Sequence, residues 1–100
     1  MIVYEYQKNV VLEASFTNQF KKDYKLCIKR GCDMSLLQNI IDILIIPASL
    51  PTQNKDHDLK GNYRGKRECH ILPDWLLVYK IKDNRLILYR TGTHSDLFKK

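Results

Sequence analysis

The stretch Trp75-Leu76-Leu77-Val78-Tyr79-Lys80-Ile81 constrains this chain more than any other. In an extended chain successive side chains point to opposite faces, and from Trp75 to Tyr79 both faces are apolar. A strand of that kind belongs inside a sheet, with a covering layer on each side. Strands are expected on both sides of it in sequence, from about Tyr63 to Ile71 and from about Arg85 to Thr91. Pro73 belongs to the first connection. Lys82-Asp83-Asn84 forms the second, a hairpin turn suited to positive φ.

The first half supplies the cover. Val10 to Phe16 is short and β-prone. Thr17 then offers a helix N-cap, with Phe20, Tyr24, Cys27 and Ile28 at helical spacing and Gly31 to end the helix. Lys21, Lys22, Lys25 and Lys29 lie mostly on the other side and read as a solvated face. Asp33 caps a second helix, whose apolar face is Met34, Leu37, Ile40, Ile41, Leu44 and Ile45, widened by Leu36 and Ile43 and stopped by Pro47. So short a link makes the helices an antiparallel hairpin. Residues 47–58 read as a polar, proline-punctuated loop. The expectation is one α+β domain over residues 10–100, a helical hairpin packed on a mainly antiparallel, twisted sheet, with residues 1–9 as an N-terminal extension.

Composition removes several classes. A chain of 100 residues that is 44% hydrophobic builds one small core. The longest aliphatic run, Ile40 to Ile46 broken by Asp42, is too short to span a bilayer. Met1 to Tyr6 lacks the charged start and apolar core of a signal peptide. The three cysteines, Cys27, Cys32 and Cys69, are odd in number and form no Cys-x-x-Cys pair, which fits a reducing cytoplasm rather than a disulfide framework.

Charge and histidines fall together. Residues 1–50 carry six Lys/Arg against five Asp/Glu, whereas residues 51–100 carry eleven against six. The basic half also holds all three histidines, His57, His70 and His94. Antiparallel order returns the end of the last strand to the start of the central one, so His94 is expected beside Asp74 and His70. Glu68 and His70 share a face by alternation, as do Leu86, Leu88 and Arg90. Imidazoles titrate near neutrality and suit proton transfer, while Lys60, Arg64, Lys66, Arg67 and Arg90 suit phosphate. Those are the parts of metal-free phosphodiester cleavage. A zinc site would use the same histidines with Asp74, but no His-x-x-x-His or Cys-x-x-Cys spacing supports it.

Four segments carry a family resemblance: Ser15-Phe16-Thr17-Asn18-Gln19-Phe20-Lys21-Lys22-Asp23, Asp56-His57-Asp58-Leu59-Lys60-Gly61, Arg67-Glu68-Cys69-His70-Ile71-Leu72-Pro73-Asp74-Trp75-Leu76-Leu77-Val78-Tyr79 and Arg90-Thr91-Gly92-Thr93-His94-Ser95-Asp96-Leu97-Phe98. With them, residues from about Leu12 to Phe98 resemble the RelE superfamily of toxins, and most closely its YafQ-type mRNA interferases. The resemblance implies a β-α-α-β-β-β fold. It also implies a cytoplasmic endoribonuclease that cuts mRNA on the ribosome and inhibits translation. Further implications are no cofactor, no membrane, and silencing by an antitoxin of the DinJ/RelB kind encoded nearby. Carried over by position, His57, His70, Asp74 and His94 look catalytic, and Arg90 looks like the phosphate-binding cation. Glu68, Trp75 and Phe98 look like supporting groups, with Glu68 standing where relatives often have Asp. A gyrase poison of the ParE kind, with the same fold and no nuclease chemistry, would not need this histidine set. A plain RNA-binding module is the third reading.

Overall fold

The computed structural model describes residues 11–46 and 50–98. The expected N-terminal extension, the start of the first strand at Val10 and the stop at Pro47 lie outside them. Five strands form one sheet in the order β1-β5-β4-β3-β2: β1 (Glu13–Phe16), β2 (His57–Asp58), β3 (Arg67–Leu72), β4 (Trp75–Lys82) and β5 (Arg85–Gly92). β1 runs parallel to β5, and every other pairing is antiparallel. Two long helices, α1 (Asn18–Lys29) and α2 (Met34–Ile45), follow β1, and a short α3 (His94–Phe98) follows β5.

β4 sits at the centre, as its doubly apolar pattern requires. Trp75, Leu77 and Tyr79 join Leu86 and Leu88 and the helix residues Phe20, Cys27, Leu37, Ile40, Ile41 and Leu44 in the main core. Leu76 and Val78 face the other way and pack with Leu97 of α3. Each such fully buried side chain contributes about 1.5–3 kcal/mol relative to exposure. The β4–β5 turn places Asp83 at φ 53° and Asn84 at φ 63°, the left-handed pair of a tight hairpin.

The helices begin and end where their caps dictate. The Thr17 hydroxyl accepts from the Phe20 amide at 3.0 Å and donates to the Tyr89 carbonyl at 2.9 Å, so one cap starts α1 and fastens it to the sheet. β1 ends at Phe16, and α1 then lies along the edge of β5 that β1 leaves open. There the Asp23 carboxylate accepts from the Thr91 amide at 3.1 Å. At the C-terminus of α1, Gly31 adopts φ 81°, and the Gly31 and Cys32 amides donate to Ile28 and Cys27.

Three local expectations change. The strand expected from Tyr63 begins only at Arg67, because Gly61–Tyr63 is a helical turn and Gly65 takes φ 89°. His57 lies on β2, paired with β3, rather than in a free loop. The alternation of Leu86, Leu88 and Arg90 breaks because the register shifts between Val78 and Tyr79. Val78 pairs with Arg90 and Tyr79 with Leu88, which leaves Tyr89 as the extra residue of a bulge.

Candidate active site

The histidines gather on the sheet face away from α1 and α2. Glu68 pairs across the sheet with Val78, and His70 with Leu76. Directly opposite residues share a face, so both stand on the side that α3 covers. His57 is opposite Glu68 on β2 and joins them.

Asp74, in the β3–β4 turn, meets His94, the first residue of α3. One carboxylate oxygen, Oδ1, accepts from the His94 amide at 2.9 Å and from its Nδ1 at 2.5 Å. The Asp74 carboxyl is held below the usual carboxylate range by the His94 amide first and the His94 ring second. With Nδ1–H donating to Asp74, the other nitrogen, Nε2, is the one left for chemistry. α3 is itself anchored: Asp96 accepts from the Thr93 amide at 2.9 Å, Thr93 Oγ1 accepts from the Asp96 amide at 3.1 Å, and Arg30 grips both Asp96 oxygens at 2.7 and 3.1 Å.

His70 bridges the remaining groups. Its ring lies edge-on to His94 with centroids 5.6 Å apart, and 6.4 Å from His57. The buried Glu68 carboxylate lies between His57 and His70, its Oε1 3.3 Å from His57 Nε2 and 3.6 Å from His70 Nε2. Its Oε2 is buried and has no hydrogen-bond partner among the described residues. His57 Nδ1 donates to the Lys55 carbonyl at 2.6 Å, which turns Nε2 toward Glu68. The three imidazoles thus form a row, His57-His70-His94, with Glu68 between the first two and Asp74 on the last. An open cleft of about 340 Å³ adjoins the row beside His70 and Pro73, and a second of about 270 Å³ lies behind Asp74, between Trp75 and the Cys27 and Arg30 end of α1.

The expected cations are placed unevenly. Lys60 and Arg64 are exposed. Lys66 sits 4.6 Å above the Tyr89 ring. Arg90 donates to both oxygens of the buried Asp23 at 2.8 and 3.2 Å, and that hydrogen bonding raises its pKa further. Arg67 donates to Asp56 at 3.1 Å and Asp58 at 2.6 Å. Trp75 is buried, its Nε1 donating to Thr91 Oγ1 at 2.9 Å, and Phe98 meets Tyr63 edge-on at 5.7 Å. Cysteine chemistry is disfavoured: burial pushes the Cys69 thiol up to about 12 and the Cys27 thiol to about 11.

Comparison with known proteins gives this arrangement a lineage. Residues 12–99 match the family model described as the bacterial toxin of the type II toxin–antitoxin system, YafQ. The chain belongs to the YafQ toxin family. It is 43% identical over 89 residues to the mRNA interferase toxin YafQ of Escherichia coli, covering 86% of this chain and 95% of that one. It superposes with a TM-score of 0.81 on YafQ in the crystal structure of the E. coli DinJ–YafQ toxin–antitoxin complex, at 42% identity over 88% of this chain and 98% of that one. A metal-bound toxin from Helicobacter pylori is also similar, at 44% identity and a TM-score of 0.82 over 87% and 99% of the two chains.

The sequence reading anticipated that His94, His70 and Asp74 lie together but not the side chains that hold them there. Asp23, Asp56, Asp58, Arg30 and Asp96 hold the elements that carry Arg90, His57 and His94. The only local signal for any of them was the Thr93-x-x-Asp96 spacing at the start of α3, a capping pattern. Among the described residues, no group of three His, Cys, Asp or Glu side chains is disposed to hold a metal ion.

Proposed function

We propose that this chain is a cytoplasmic toxin that cleaves mRNA on the ribosome and so stops translation, silenced by an antitoxin of the DinJ/RelB kind. The observation that carries the reading is the His94–Asp74 pair with the His70 ring edge-on at 5.6 Å, two imidazoles side by side with an orienting carboxylate. Family membership and the mRNA interferase relative support the substrate. Free Cys27, Cys32 and Cys69 fit a reducing compartment, and none of the described helices is long and apolar enough to cross a membrane.

The reaction is attack of a ribose 2′-oxygen on the adjacent phosphorus. One imidazole takes the 2′-OH proton; another gives a proton to the departing 5′-oxygen. The P–O5′ bond breaks as the P–O2′ bond forms, leaving a 2′,3′-cyclic phosphate and a 5′-hydroxyl. His70 and His94 are the proton-transfer groups. Asp74 fixes the His94 tautomer and stabilises its charged form, as a carboxylate does in hydrolytic triads. His57 and Glu68 complete the row. Arg90, held rigid by Asp23, adds fixed positive charge on the strand that leads to His94, and Lys60, Arg64 and Lys66 draw the RNA backbone. Phe98 is the candidate surface for base contact, whereas Trp75, buried in the core, supports the site from beneath.

Purified protein mixed with ribosomes and labelled mRNA should yield cut ends, with and without 1,10-phenanthroline, a chelator of transition metals that spares the magnesium of the ribosome. Loss of cleavage in the chelator, restored by a transition metal, would transfer the chemistry to a metal. DNA breaks in the presence of gyrase, with intact mRNA, would favour the ParE-like reading instead.

A further inference from the structure

We infer that Arg67 is a positioning residue for His57, not an RNA ligand: it clamps the aspartates on either side of His57 and so aims the imidazole into the row. β2 is only two residues long, His57 and Asp58, at the edge of the sheet. Two paired residues hold an edge strand weakly. Arg67 supplies the missing restraint. Its Nε donates to Asp56 Oδ1 at 3.1 Å and its Nη1 to Asp58 Oδ1 at 2.6 Å. The Tyr79 hydroxyl donates to the same Asp56 oxygen at 2.6 Å.

Register explains why this clamp acts on His57. Asp58 pairs with Arg67 and Arg67 with Tyr79, so the three stand in line on one face across β2, β3 and β4. His57 pairs with Glu68, so it stands on the opposite face. Pulling Asp56 and Asp58 toward the buried Tyr79 therefore drives the residue between them the other way, onto the face with Glu68 and His70. The same tether holds Lys55, whose carbonyl takes the His57 Nδ1 proton. The two guanidinium nitrogens that make these bonds are committed to carboxylates, which is a poor state for a phosphate contact.

The inference rests on the mRNA-cleavage reading for its kinetic consequence but not for its geometry, so two measurements separate them. Histidine side-chain NMR on Arg67→Gln should show the His57 ring signals displaced from their parent positions, with those of His94, which does not touch Glu68, unchanged. An unmoved His57 signal overturns the clamp whether or not the protein cuts RNA. In cleavage on the ribosome, Arg67→Gln should lower kcat by roughly ten- to a hundredfold, the cost of a misplaced group. KM and the salt dependence should stay as in the parent. A raised KM, with the log–log salt slope smaller by about one and kcat intact, would make Arg67 a phosphate ligand and overturn the inference. In a His57→Ala background the Arg67→Gln change should cost nothing more, and full additivity would also overturn it. If Arg67→Gln fails to fold, Asp58→Asn carries the same tests, because that side chain is 80% exposed and its loss leaves the core intact.

Discussion

Asp74 and His94 are joined twice through one atom: the same carboxylate oxygen receives the backbone amide of His94 and its ring Nδ1. The backbone bond sets where α3 starts, and the ring bond sets which nitrogen faces outward. Chain entry and tautomer are therefore controlled together by a side chain in a turn.

Asp74→Asn separates those two roles. The amide oxygen can still accept the backbone bond, but the tautomer is no longer enforced and the charged imidazole is no longer stabilised. Cleavage should fall by about 10²–10⁴, while the melting temperature barely moves because both partners are largely exposed. Parent-level cleavage by a folded Asp74→Asn protein would remove Asp74 from the mechanism.

His70→Ala and His94→Ala should each leave a folded protein and cripple cutting. The His94 side chain is 46% exposed and should cost within about 1 kcal/mol of stability. His70 is 17% exposed and should cost somewhat more. The double variant should be little worse than either single one, because a step that needs both groups is lost with the first. Thermal melts and cleavage rates on the same samples test this. Rates that merely follow the folded fraction would make both histidines structural.

Asp96 makes stability depend on pH. Its carboxyl is held well below the usual carboxylate range by Arg30 first, and by the Thr93 amide and hydroxyl, against an opposing effect of burial. A depressed folded-state pKa contributes stability that is complete above the unfolded value, about 3.9, and is lost as pH falls through the folded value. The gap in denaturation midpoint between the parent and Asp96→Asn should therefore be flat near neutrality and close progressively as pH falls below about 4. A gap that stays constant down to the lowest pH at which both fold would show that ionised Asp96 contributes nothing.

Gly92→Ala strikes the same anchor sterically. A Cβ on Gly92 would lie 2.7 Å from Asp96 Oδ2 and 3.0 Å from its Cβ, on a backbone at φ 156°. Asp96 would have to leave Arg30 and the Thr93 amide. We expect a loss of about 1–3 kcal/mol, as in other overpacked sites, and a fall in cleavage beyond the folded fraction because His94 opens the displaced helix. A variant as stable and as active as the parent would show that α3 adjusts freely.

How much of this was legible depended on the range of the signal. Local patterns announced the central strand, the Thr17 and Asp33 caps, the Asp83-Asn84 turn and the helical hairpin. Simple hairpin topology was enough to bring His94 to Asp74 and His70. Strand β2 was not legible, because two residues cannot display an alternation. Nor was the bulge at Tyr89, which turns Arg90 out of the Leu86–Leu88 row. Arg90 and Asp23 stand 67 residues apart, and nothing in either neighbourhood marks the other as a partner. The same holds for Arg67: as a cation in a basic half it reads as a phosphate ligand, and only cross-strand register links it to Asp56 and Asp58.

The parallel pairing of β1 with β5 has a bearing on synthesis. Glu13–Phe16 must wait for Arg85–Leu88, so the sheet has no complete edge until almost the whole chain has been made. His94 and its anchor at Asp96 emerge later still. The helical hairpin can form early, from neighbours in sequence, but the imidazole row cannot. The imidazole row is therefore set in place only after the strands that flank it have paired, and the order of the chain makes the chemistry the last thing this domain acquires.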